Sequence, residues 1–284
     1  MSIEVASGKG RADENFPVGS WLIAPRQRPH VHAYYGFARA IDDIADNIVL
    51  TPAAKIARLD AMESVLLTGG AAHAGLAPSE QEHALRLRAS LAATGVDPRT
   101  ATDLIVAFRQ DAVKPRYQSW QELADYCRYS ACPVGRYLLA LHGEPGEATR
   151  ASSDALCSAL QVLNHLQDCA DDLAALDRCY IPEPWLAAEG LGVDALRGPR
   201  APAGLRRVFD RLLGEVATLN RAAASLPARI ADRRMRLEAA VIVGVSHRLA
   251  ARLARKDPLA ARVRLRKPDL VLCLLGAVPT WRRA

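Results

Sequence analysis

Apolar residues return every three or four positions over long stretches of the chain, as at Leu59, Met62 and Leu66 and at Leu205, Val208, Leu212, Val216 and Leu219. That is the period of an α-helix with one buried face. Ala, Leu and Arg dominate and β-branched runs are scarce, which favours helices throughout. The pattern is interrupted at Pro25–Pro29, Thr51-Pro52, Gly69–Gly75, Gly95–Pro98, Gly143–Gly146, Ile181–Pro184, Gly190–Gly204, Leu226-Pro227 and Asp257-Pro258. These breaks predict about eight to ten helices and no strand pair.

Length and charge narrow the picture. A chain of 284 residues is long enough for about two domains. The stretch 190–204 is short and apolar for a linker, and two acidic motifs on either side of more than a hundred residues would have to meet across one cavity. The expectation is therefore one all-α domain over residues 1–284, with the polar residues 1–13 flexible. Leu270 to Pro279 is about half of the roughly 20 apolar residues that a membrane-spanning helix needs. Residues 1–13 carry no apolar core of a secretory signal, so a cytoplasmic location is expected. The six cysteines have no paired spacing and read as reduced thiols.

Two helices carry the candidate chemistry. In the first, Tyr35, Arg39, Asp42 and Asp46 fall within about 60° of one another on one helix face. Phe37, Ile41, Ile44, Ala45 and Ile48 make much of the rest apolar, so stacked carboxylates on a largely buried helix need a cation. In the second, Asn164, Asp168 and Asp172 repeat every four residues between apolar neighbours. Oxygen ligands on two helices suit a hard divalent ion such as Mg²⁺, with Asp42, Asp46, Asn164, Asp168 and Asp172 as the ligand set. His165 and Cys169, four apart, lack the further soft ligands of a zinc site, and His165 reads as a packing residue. A Glu80-x-x-His83 pair is half of a di-iron helix motif and lacks its second copy.

Mg²⁺ held by few carboxylates completes its shell with water and substrate phosphates. A diphosphate substrate follows, with the ion easing departure of the diphosphate. The carbocation left behind suits a dry cavity with aromatic faces. Of the 15 aromatic residues, 11 lie at or before Tyr137, among them Phe16, Trp21, Tyr34, Tyr35, Phe37, Tyr126 and Tyr129.

The motifs Tyr35-x-x-x-Arg39-x-x-Asp42-Asp43-x-x-Asp46, Gln161-x-x-Asn164-x-x-x-Asp168-x-x-x-Asp172, Arg178-Cys179-Tyr180-Ile181-Pro182 and Pro133-Val134-Gly135 resemble those of the squalene and phytoene synthases. Glu14-Asn15-Phe16-Pro17-Val18, Ala107–Asp111, Arg116-Tyr117 and above all Tyr126–Arg136 resemble the hydroxysqualene synthases of bacterial hopanoid pathways. The resemblance runs from about residue 8 to Leu265. It implies an all-α isoprenoid synthase fold and conversion of presqualene diphosphate and water to hydroxysqualene and diphosphate, a lyase reaction with Mg²⁺ and without NADPH. It further implies catalytic roles for Asp42, Asp46, Asp168 and Asp172, and substrate contacts by Tyr35, Arg39, Asp43, Tyr126, Tyr129, Gln161, Asn164 and Arg178. Tyr126, Tyr129, Ser130 and Pro133 are expected on one helix face, kinked at Pro133 so that freed carbonyls hold the quenching water. The family's Ser-x-Ser-Phe opening is replaced by Glu14-Asn15-Phe16, and no tyrosine follows Tyr180.

Two alternatives remain open. Another head-to-head prenyl synthase would make presqualene diphosphate, squalene or dehydrosqualene from farnesyl diphosphate with the same ionising machinery. A basic binding protein would use Arg233-Arg234, Arg248, Arg252, Arg255-Lys256 and Arg262–Lys267. Paired acidic helices repel nucleic acid, so no nucleic-acid partner is expected. The basic part reads first as a solvated helix surface; if it binds a partner, the apolar substrate and product point to a peripheral membrane contact, each cation contributing roughly 1 kcal/mol near an anionic surface.

Overall fold

The computed structural model describes residues 22–70, 75–144 and 146–281. The Glu14-Asn15-Phe16 segment, Phe16, Trp21 and the expected flexible start lie outside the described residues. In chain order the elements are α1 (Arg28–Asp46), α2 (Pro52–Thr68), α3 (Pro78–Thr94), α4 (Arg99–Asp111), β1 (Arg116–Tyr117), α5 (Trp120–Ser130), α6 (Cys132–Leu141) and α7 (Glu147–Leu176). There follow β2 (Cys179–Pro182), α8 (Glu183–Ala187), a 3₁₀ turn (Val193–Arg197), α9 (Ala203–Ala223), α10 (Leu226–Arg229), α11 (Arg233–Leu253) and α12 (Lys267–Trp281).

Helix ends follow local chemistry. Thr51 accepts from the Ala54 N–H ahead of Pro52, and Gly69 closes α2 at φ 70°, a left-handed conformation glycine adopts without strain. Asp232 caps α11 through the Met235 N–H at 2.7 Å. Two findings differ from the sequence expectation. The described residues form twelve α-helices, of which α8 and α10 are single turns that periodicity cannot register. There is also a short parallel strand pair, β1 on β2, with Cys179 N–H bonded to Pro115 C=O at 2.9 Å. Residues 179–182 are wholly buried, so packing decides their conformation, not propensity.

One apolar cluster unites α1–α4 through Phe37, Ile41, Leu59, Met62, Leu87 and Ile105. A second gathers α5, α7, β2, α9 and α11 around Leu123, Leu163, Ile181, Phe209 and Leu249. Helix α7, 30 residues long, packs on α6, α9 and α11. The α6–α7 crossing depends on Gly135. A Cβ there would lie 2.7 Å from Cys157 Sγ and closer still to Ser153 Oγ, both on α7. Gly135→Ala is therefore expected to destabilise the fold by about 1–3 kcal/mol, the usual penalty of overpacking, read as a lower melting temperature.

Candidate active site

Helices α1 and α7 place their acidic motifs on a common cavity of about 330 Å³. Tyr35, Arg39, Asp42, Asp46, Tyr126, Gln161, Asn164, Asp168, Asp172 and Arg178 all line it, as do the apolar Val134, Leu138, Leu156, Leu160 and Ile242. Asp171 and Asp43 are left to other surroundings: the first is exposed, and the second pairs with Arg39 Nη2 at 3.0 Å outside the lining.

The carboxylates that line the cavity are each engaged with arginine where a pair is formed. Arg39 meets Asp42 at 2.6 Å one turn along α1, Arg178 meets Asp46 at 2.6 Å, and Arg262 approaches Asp168 at 3.2 Å. Arg178 also donates to Ala45 C=O at 2.9 Å, and Lys55 donates to the same carbonyl at 2.7 Å. Burial first, then the neighbouring Arg178, lowers the Lys55 ammonium from its ordinary range. Asp42 and Asp46 close α1 and Asp172 lies one turn from the end of α7, where the helix dipole is negative; Asp168 and Asn164 lie further in. Carboxylates added to two negative helix ends build a potential that only cations relieve.

Behind this acidic face lies an aromatic wall centred on Asp111. Its carboxylate is buried and accepts from Tyr126 Oη at 2.7 Å and Tyr180 Oη at 3.1 Å. Burial pushes the Asp111 carboxyl up to about 6, against the opposing pull of Arg178. Burial also raises both tyrosine hydroxyls far above their usual range, so they remain donors. The Tyr126 and Tyr180 rings lie 5.4 Å apart, and His165 stacks on Tyr180 at 3.6 Å. His165 is thus a packing residue of the wall, with its Nε2 3.3 Å from Gln161.

Sequence reasoning placed Tyr126, Tyr129, Ser130 and Pro133 on one kinked helix. The structure corrects this: α5 ends at Ser130, Ala131 leaves helical geometry at φ −126°, and Pro133 lies in the first turn of α6. Proline is accommodated there because its missing N–H has no helical partner to lose. Tyr126 and Ser130 reach the cavity, whereas Tyr129 packs half-buried on the core cluster and Pro133 stays out of the lining. Asp111, Tyr180 and Arg262 escaped the sequence reading as site residues. Asp111 and Tyr180 lie in the segments Ala107–Asp111 and Arg178–Pro182, whose spacing assigns them no role, and Arg262 comes from the C-terminal third, which carries no paired acidic motif.

Among the described residues no three His, Cys, Asp or Glu side chains converge closely enough to hold a metal by themselves. The five-ligand set expected from sequence is divided between the faces of two helices. Its donors are all oxygen, which fits a hard cation bound through one or two carboxylates with water and phosphate filling the shell.

A helical shell around a cavity with an acidic face and an aromatic wall is the all-α isoprenoid synthase fold. Squalene synthase HpnC of Alicyclobacillus acidocaldarius superposes with a TM-score of 0.73 at 30% identity, over 86% of this chain and 90% of that one. The squalene/phytoene synthase pattern matches residues 9–269, and the chain belongs to that family. It is 42% identical to a hydroxysqualene synthase of Rhodopseudomonas palustris over 97% of this chain and 91% of the relative. Two proteins of Zymomonas mobilis separate the subgroups: its hydroxysqualene synthase is 40% identical over 93% of this chain and 87% of its own length. Its presqualene diphosphate synthase is 29% identical over 69% and 66%.

Proposed function

We propose that this protein, as one catalytic domain, converts presqualene diphosphate and water to hydroxysqualene and diphosphate, a lyase reaction supplying hopanoid biosynthesis. The observation that carries the reading is the meeting of Asp42, Asp46, Asp168 and Asp172 on one cavity with the Asp111-tethered tyrosines. Asp42, Asp46, Asn164, Asp168 and Asp172 would hold Mg²⁺, which when bound supplies Lewis-acid assistance to the departing diphosphate. Arg39 and Arg262 exchange their carboxylate partners for phosphate oxygens, and Arg178 keeps Asp46 aimed into the cavity. The rings of Tyr126 and Tyr180 face the allylic and cyclopropylcarbinyl cations left behind. Because both hydroxyls donate to Asp111, their remaining lone pairs accept from a water and leave its oxygen directed at the cation, and the proton that this water loses as the C–O bond forms goes to the freed diphosphate. The apolar wall keeps bulk water away until ionisation. No NADPH takes part, and the reaction belongs on the cytoplasmic side.

The test is incubation of the purified protein with presqualene diphosphate and Mg²⁺ in ¹⁸O-water, with and without NADPH. Labelled hydroxysqualene in both reactions is expected. An unlabelled alcohol, squalene formed when NADPH is present, or turnover of farnesyl diphosphate alone would reject the assignment in favour of another head-to-head synthase.

A further inference from the structure

The net charge of +6 is concentrated in one place. Residues 248–269 hold eight Lys and Arg against Asp257 and Asp269, an excess of six, and the other 262 residues hold 29 of each sign and balance. Both acids of this segment turn inward. Asp257 accepts from the Ala201 and Leu259 N–H groups at 2.8 and 3.0 Å, and Asp269 pairs with Arg252 at 2.6 Å and accepts from the Arg266 N–H at 2.7 Å. Arg264, Arg266 and Lys267 are exposed at the amino end of α12. Three cations there oppose the helix's own dipole, so helix stability does not account for them.

Helix α12 itself is apolar on the wrong side for a helix facing only water. Its buried stripe is Asp269, Cys273 and Ala277, four residues apart, seated on Val241 and Val245 of α11. Leu270, Val271, Leu272, Leu275, Val278 and Trp281 are 37–62% exposed and make up half of the large exposed apolar side chains among the described residues. At about 100° per residue, Val271, Leu275 and Val278 point directly away from the buried stripe. Such a patch marks an interaction surface.

We infer that α12, with Arg264, Arg266 and Lys267, docks on an anionic lipid surface. The outward apolar face enters the acyl boundary and the cations meet headgroup phosphates. A helix of 15 residues is about 22 Å long, short of a bilayer core, so it lies in the surface plane; no helix among the described residues is long and apolar enough to cross a membrane. A nucleic-acid partner would accept the cations and leave the apolar face wet. Leu160 of α7 lines the catalytic cavity and also packs against the cluster that seats α12. If the reaction is the one proposed above, docking brings the cavity's apolar wall beside the phase where its product dissolves; the docking itself does not rest on that reading.

The full chain is to be sedimented with vesicles of phosphatidylcholine alone and of phosphatidylcholine mixed with phosphatidylglycerol, at low and high salt. Binding to the mixed vesicles that weakens with salt is expected. Val271→Glu combined with Leu275→Glu should reduce it about ten-fold or more, and Arg264→Gln with Lys267→Gln should flatten its salt dependence. Both variants should keep the parent melting temperature, elution volume and turnover of detergent-dispersed substrate, so vesicle binding and catalysis are read separately. Absence of binding to the mixed vesicles, or binding undiminished in the Glu variant, overturns the inference. So does a parent dimer that the Glu variant turns into a monomer, which would assign the face to a second copy.

Discussion

Asp42→Asn and Asp168→Asn are each expected to lower turnover by about 10³-fold or more while leaving the helical fold intact. The two residues lie on different helices, α1 and α7, and face the same cavity. Asparagine preserves shape and hydrogen bonding but removes the formal charge through which a hard cation and, via it, a diphosphate would be held. Each substitution removes one charged partner of an arginine: Arg39 keeps its pair with Asp43 at 3.0 Å, and the Arg262 side chain, 34% exposed, reaches water. Far-ultraviolet circular dichroism and melting curves should stay near the parent, and the Mg²⁺ concentration for half-maximal activity should rise wherever residual activity is measurable. Near-normal turnover in either variant would defeat the two-helix metal reading.

Asp111→Asn should separate stability from activity. The folded carboxyl sits at about 6 against an ordinary value of 3.8. Between these values the folded state binds the proton more tightly, so this group's contribution to stability falls as pH rises through about 4 to 6. Above that window the ionised form opposes folding by about 3 kcal/mol relative to the protonated one. Asparagine cannot ionise. Its melting temperature at pH 8 should at least match the parent, and the difference should shrink as pH falls towards 5. Activity should nevertheless drop about 10–100-fold, the usual consequence of loosening groups that orient a site, because Tyr126 and Tyr180 each donate to a different oxygen of Asp111 and asparagine offers only one acceptor oxygen for the two hydroxyls. A variant less stable than the parent at pH 8, or fully active, would show that Asp111 is a structural carboxylate only.

Sequence periodicity sufficed for the long helices, because a helix with one buried face repeats its apolar residues within the segment itself. The acidic faces of α1 and α7 were legible for the same reason: Tyr35, Arg39, Asp42 and Asp46 lie within three turns of one another, and so do Asn164, Asp168 and Asp172. Asp171, although adjacent to Asp172, rotates out to solvent by that same period. What spacing along the chain could not convey is which distant groups share a low-dielectric space. Asp111 is 15 residues from Tyr126 and 69 from Tyr180, Asp46 is 132 from Arg178, and Asp168 is 94 from Arg262, yet each pair is in contact. Tertiary packing also ended α5 at Ser130, which put Pro133 on a separate helix and left it out of the cavity lining. It paired residues 116–117 with 179–182 in a strand too short to announce itself. It likewise seated α12 on Asp269, Cys273 and Ala277, with Leu274 half-buried beside them, and turned Val271, Leu275 and Val278 outward, a choice made by the partner surface and invisible in a helix that is apolar all round.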